Sequence, residues 1–177
     1  MTNTRPARTE AAEYYFRYID LMPDGDIVQL LIAQRAEMRR LFDGVSAAQH
    51  GFRYEEGKWT LRQVVGHLSD TERMCAARAM WFARGLEGEM PSFDQHLSIA
   101  AGQFDARSWA SLVEELDSVR AATLSLFADL PADAWDRRGI ASGNPFTVRA
   151  LAWLAAGHVL HHLKIVRDRY LASAVGA

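Results

Sequence analysis

Apolar residues in this chain recur at three- and four-residue spacing in four long segments. No stretch alternates apolar and polar residues with the period of a half-buried strand. The first segment starts at Asp26, with Gln29 in a capping-box relation to it, and runs to about Phe42. Ile27, Leu30, Leu31, Met38 and Leu41 share one face, and Gly44 ends the segment. The second opens on Thr60-Leu61-Arg62-Gln63, a capping box preceded by Trp59 as a hydrophobic staple, and stops at Gly85. The third begins near Ser108, carries Trp109, Leu112, Val113, Leu116, Val119, Leu126 and Phe127, and ends before Pro131. The fourth opens at Thr147, after the turn signal Asn144-Pro145, and continues to about Leu171.

This pattern predicts an all-α four-helix bundle over residues 26–172, with an N-terminal extension over 1–25 and a short tail over 173–177. The connection from Leu86 to Arg107 is too long for a tight antiparallel turn. It crosses the bundle, makes helices two and three parallel, and has room for a short helix of its own.

A chain of 177 residues suits one domain, and 49% hydrophobic with 24% charged residues is an ordinary globular balance. The net charge of −2, with no cluster of Lys or Arg, argues against a nucleic-acid partner. The longest apolar run, 150–156, is too short to span a bilayer, and no apolar stretch follows the basic residues 1–8 as a secretory signal requires. A single cysteine, Cys75, excludes an internal disulfide. The expectation is a soluble cytoplasmic protein.

Chemistry concentrates on histidine. His158 and His162 lie one helical turn apart and roughly 40° apart around the axis, so both project from one seam with Leu151, Ala155 and Ile165. His161 is rotated roughly 60° from His158 on the other side and stands as a competing ligand or a supporting group. On the second helix, His67 shares a largely apolar face with Val64, Thr71, Met74, Arg78 and Phe82. Three imidazoles meeting at one point would make an open, catalytic type of metal site. Spacing alone leaves two readings, a metal centre or core histidines hydrogen-bonded to carbonyls. No His-Glu-x-x-His is present, so the zincin arrangement is excluded.

Arg78 is the other unusual residue. On an apolar face it is expected to pair with an interior carboxylate or to snorkel outward, and otherwise to clamp an anionic substrate. Asp70 is placed either to orient an imidazole or to join a surface network, and Glu72 points away from His67 and is expected in solvent. Cys75 reads as an inert core thiol, and Asp94 on the long connection as a weak general-base candidate outside the catalytic set.

The run from Trp59 through His67 to Arg73, followed by Arg78, resembles the signature of the DinB/YfiT-like superfamily. Pro91-Ser92-Phe93-Asp94-Gln95 is similar to that family's mid-chain loop, and the segment from Trp109 to Trp135 followed by His158-x-x-His161-His162 to its third and fourth helices. The resemblance covers about Asp26 to Tyr170. It implies an up-down-down-up bundle, often a homodimer, with a divalent metal (Ni, Zn or Fe) on three histidines, here His67, His158 and His162. It also implies activity on a small molecule. Relatives include transferases and isomerases that use a low-molecular-weight thiol, and others are candidates for metal-dependent hydrolysis. The alternatives are a non-catalytic, stress-related bundle that binds a metal or small molecule, and a plain helical scaffold.

Overall fold

The computed structural model describes residues 3–172, so the tail over 173–177 lies outside the described residues. The four long segments are helices α2 (Ile27–Asp43), α3 (Leu61–Ala83), α5 (Trp109–Ala128) and α6 (Val148–Ile165). Each starts where a polar side chain satisfies amides of the first turn: Asp26, Thr60, Ser108 and Thr147 each accept from a backbone N–H two or three residues on. Residues Val166–Leu171 extend α6 as a π-helix.

Cross-helix contacts fix the directions. Arg35 pairs with Asp117, Arg39 with Glu114, and the Trp109 indole N–H donates to the Phe42 carbonyl, so α2 and α5 are antiparallel. Gln34 meets Ala156 and Glu37 meets Arg167, so α2 and α6 run together. Thr60, at the start of α3, donates to Asp105 just before α5, and further along both helices Arg120 donates to Glu72, which makes α3 and α5 parallel. Tyr170, past the end of α6, donates to the Trp59 carbonyl just before α3, so α3 and α6 are antiparallel. The topology is up-down-down-up, and the long connection is the crossover. It carries a short helix, α4 (Gln95–Gly102), capped by Asp94.

Two elements were not foreseen. Within residues 1–25, helix α1 (Glu13–Ile19) buries Phe16 and Ile19 in the same core cluster as residues of α6. Between α5 and α6 a hairpin of β1 (Arg138–Ala141) and β2 (Asn144–Thr147) pairs antiparallel. Its turn is Ser142-Gly143, both at positive φ (53° and 69°), as a two-residue type I′ hairpin turn requires. The turn expected at Asn144-Pro145 is therefore corrected: those residues are inside β2.

The core divides into two apolar clusters, one at each end of the bundle. α2 gives Ile27 and Leu31 to one and Met38 and Phe42 to the other; α3 gives Cys75, Ala79 and Phe82, then Val64, Val65 and Leu68. Where the clusters meet, each helix carries a buried polar side chain: Gln34, Glu72, Arg120 and His158. Arg120 (0% exposed) forks onto Glu72 (1% exposed) through Nε and Nη2 at 2.6 and 2.8 Å, and its Nη1 donates to Gln34 at 2.9 Å. The expectation that Glu72 is solvated is thus overturned. An amphipathic reading assumes one buried face, whereas α3 packs α6 on one side and α5 on the other, so the face opposite His67 is interior as well.

Gly157 lets α1 approach α6. A Cβ there would overlap the backbone carbonyl of Tyr18, which cannot move without its helix. Gly157→Ala is expected to destabilise the fold by about 1–3 kcal/mol and to raise amide exchange in α1 first, read by urea unfolding and hydrogen exchange.

Candidate metal centre

The capping box at Thr60 sets the start of α3 and thereby the face of His67: Thr60 Oγ1 accepts from Gln63 N at 3.1 Å and Gln63 Oε1 accepts from Thr60 N at 2.9 Å. Because α3 and α6 are antiparallel, the second turn of α3 lies opposite the second half of α6. His67 Nε2 is 3.1 Å from His158 Nε2. The His67 ring centroid is 4.9 Å from that of His158 and 5.0 Å from that of His162, and the latter two are 4.6 Å apart. One ring nitrogen from each of the three lies within 4.8 Å of the others, and among the described residues no other group of His, Cys, Asp and Glu converges in this way.

The environment keeps the rings neutral. Burial lowers His67 from the usual 6.5 to about 4, assisted by His96, and lowers His162 to about 3, assisted by His67 and His161. His158 is held well below the ordinary range by burial first, then by His162 and His67. Neutral imidazoles carry the lone pairs that a metal needs. Thr71 Oγ1 lies 3.3 Å from His67 Nδ1. A proton held on Nδ1 by that hydroxyl leaves the Nε2 lone pair toward His158. Two nitrogens 3.1 Å apart repel unless a proton or cation lies between them. The edge of a tetrahedron with about 2.0–2.1 Å metal–nitrogen bonds is roughly 3.3 Å. The donor set fits a divalent ion.

Burial of these rings has a consequence for the metal-free protein. His67 titrates at about 4 when folded against 6.5 unfolded, so its contribution to stability is complete above about pH 6.5 and is lost as the pH falls through about 4. That is on the order of 3 kcal/mol for this 3% exposed side chain. Denaturant titrations of metal-free protein between pH 7 and pH 4 are expected to show this loss, and His67→Leu to reduce it.

A cavity of about 550 Å³ opens over His67 and His158, walled by Tyr14, Tyr15, Tyr18 and Phe93. A second space, about 290 Å³, reaches His162 between Trp59 and Tyr170, and His96 borders both. A larger groove of about 660 Å³ between α2 and α6 contains no His or Cys. The two cavities over the imidazoles are the ones that the convergent histidines line.

The remaining sequence candidates fall around this cluster. His161 is half-buried, its ring 5.2 Å from His162 and 5.3 Å from Tyr18. Asp70 faces α4: it accepts from Ser98 Oγ at 2.5 Å and lies 3.6 Å from Arg73, so it joins a surface network and makes no bond to an imidazole. Arg78 neither meets a carboxylate nor snorkels. It is 8% exposed, and its Nη2 donates to the Pro91 carbonyl at 2.7 Å and Ser142 Oγ at 2.8 Å. The hairpin turn and the crossover reach back over α3 and supply these acceptors, a convergence that no local pattern encodes. Cys75 is buried and pushed up to about 12, a neutral thiol. Asp94 spends its carboxylate on the amides of His96 and Leu97 as the α4 cap, which lowers its pKa. Thr71, His96, Tyr18 and Ser142 are the site residues that sequence reasoning did not assign.

A family model described as the DinB superfamily matches residues 30–166. No curated protein matches the chain. Among solved structures, YfiT from Bacillus subtilis, described as a probable metal-dependent hydrolase with an unusual four-helix bundle topology, superposes with a TM-score of 0.67 at 18% identity. The match covers 92% of this chain and 91% of YfiT. A mycothiol-dependent maleylpyruvate isomerase also aligns with a TM-score of 0.67, at 17% identity, over 81% of this chain and 60% of its own length. At these identities both establish the shared fold. Among the described residues, no helix is long and apolar enough to cross a membrane.

Proposed function

We propose, for a chain that belongs to the DinB superfamily, that His67, His158 and His162 hold one divalent metal ion and that the protein is a metalloenzyme acting on a small molecule. The observation that carries this reading is the convergence of three neutral imidazoles, His67 and His158 buried and His162 half-buried, where two cavities meet. The leading reaction class is transfer through a low-molecular-weight thiol. Two cavities meet at the cluster, one bordered by His67 and His158 and the other by His162, which is room for a thiol and for an electrophile.

A bound ion would supply Lewis acidity and lower the pKa of a thiol or water at its open position. The protein's own groups do the rest. Thr71 orients His67, and Tyr18 packs its ring edge-on to His158 at 5.5 Å. The aromatic walls give the cavity an apolar lining, and the exposed His96 is available to take up the thiol proton. Hydrolysis is the second reading, supported by the full-length likeness to YfiT. The metal is left open among Ni, Zn and Fe, because imidazole suits each.

Metal-loaded protein should be assayed with electrophiles in the presence of mycothiol, bacillithiol or glutathione, and separately with ester and amide panels. Thiol-dependent consumption of an electrophile, lost in His67→Ala, is the expected result. Thiol-independent ester or amide cleavage would establish the hydrolase instead, and no turnover in either panel would leave a binding protein. Thr71→Val is expected to weaken metal affinity about 10-fold through loss of ring orientation, measured by competition with a chelator.

A further inference from the structure

Arg78 stands out as a buried charge without a countercharge. It is 8% exposed, and no carboxylate pairs with it among the described residues. Its Nη2 is committed to two neutral acceptors, the Pro91 carbonyl and Ser142 Oγ. Its Nε is buried with no hydrogen-bond partner at all. A guanidinium held this way has lost its water without gaining an ion pair, an arrangement that is costly unless an anion completes it.

The surroundings are built rather than incidental. Pro91 belongs to the crossover connection and Ser142 to the hairpin turn, so two separate segments close over α3 to hold the fork. Ser142 is one of two non-glycine residues with positive φ among the described residues, and that conformation sits at the turn which presents its hydroxyl to Arg78. Arg78 borders the same cavity as His67 and His158, about three helical turns (roughly 16 Å along the α3 axis) beyond His67. Tyr14, Tyr15, Tyr18 and Phe93 line the cavity with aromatic surface.

We propose that Arg78 is the carboxylate-binding residue of this cavity, and that the substrate is a small molecule with an apolar or aromatic body and a single carboxylate held away from the imidazole cluster. The assignment deepens the metalloenzyme reading and rests on it only for where the reacting end lies. A single carboxylate suits the cavity better than a phosphate, because Asp94 also lines it and would repel a second negative charge. Ser142 is a positioning residue that fixes the fork through Nη2.

The probe is benzoate, titrated calorimetrically into metal-free and zinc-loaded protein, with benzamide and inorganic phosphate as comparisons. Wild type is expected to bind benzoate in both forms and benzamide at least 10-fold more weakly. Arg78→Met is expected to lose at least 10-fold in benzoate affinity while keeping its zinc stoichiometry. Ser142→Ala, which leaves the guanidinium in place, is expected to lose about 2- to 5-fold, and serves if the Arg78 variant does not fold. His67→Ala is expected to lose zinc and keep benzoate, so failure of the metal reading leaves this one standing. Absence of benzoate binding, binding equal to that of benzamide, binding unchanged in both the Arg78 and Ser142 variants, or preference for phosphate would each overturn the proposal.

Discussion

Arg120→Ala is expected to remove about 3–5 kcal/mol of stability, a large share of the roughly 5–15 kcal/mol that holds a domain folded. The loss comes from the partner left behind. Glu72 is 1% exposed and accepts two of the three strong bonds that Arg120 makes. Without the guanidinium its carboxylate is stranded between α3 and α5. Gln34 loses its partner as well, although its amide still donates to the Ala156 carbonyl at 2.9 Å. The double variant Arg120→Met, Glu72→Met removes both charges and is expected to recover most of the loss, since a buried pair adds little over well-packed apolar residues. Urea unfolding of the single and double variants at pH 7 measures this. A single variant as stable as wild type would mean that the pair is not buried as described.

His158→Ala is expected to weaken divalent metal binding by more than about 100-fold, because losing a ligand exceeds the roughly 10–100-fold cost of losing a group that only orients one. His162→Ala should behave alike, whereas His161→Ala should change affinity less than 10-fold. The contrast follows from the geometry of α6: His158 and His162 face His67, and His161 lies on the flank beside Tyr18. Competition with a chromophoric chelator measures all three, and circular dichroism separates lost ligation from lost fold. Equal losses in the His161 and His162 variants would contradict the assignment of the ligand pair.

The bundle was legible because its signals are local. Asp26, Thr60, Ser108 and Thr147 announce four helix starts, and the length of the connection after Leu86 indicates the crossover. The hairpin was not legible: each of its strands has four residues, Ile140 is exposed, and Pro145 lies inside β2. Helix α1 was missed for a related reason, since seven residues carry too little periodicity to stand out. Within the site, the spacing of His158 and His162 shows that they share a face, but the arrival of His67 depends on antiparallel packing of α3 on α6. Glu72 misleads for a physical reason: a helix between two neighbours has two buried faces, and a hydrophobic stripe marks only one of them. Arg78 is anomalous on an apolar helix face, yet its acceptors come from the crossover and the hairpin turn, which meet only in the folded chain.

On the proposed reading, three histidines from two helices hold one metal ion. Equilibrium dialysis of metal-free protein against zinc, nickel and ferrous iron, for wild type and for His67→Ala, tests it most directly, with bound metal counted by elemental analysis. Wild type is expected to bind about one equivalent of at least one of these ions, and His67→Ala essentially none at the same free concentration. Wild type that binds none of them, or a His67 variant that binds as much as wild type, would contradict it.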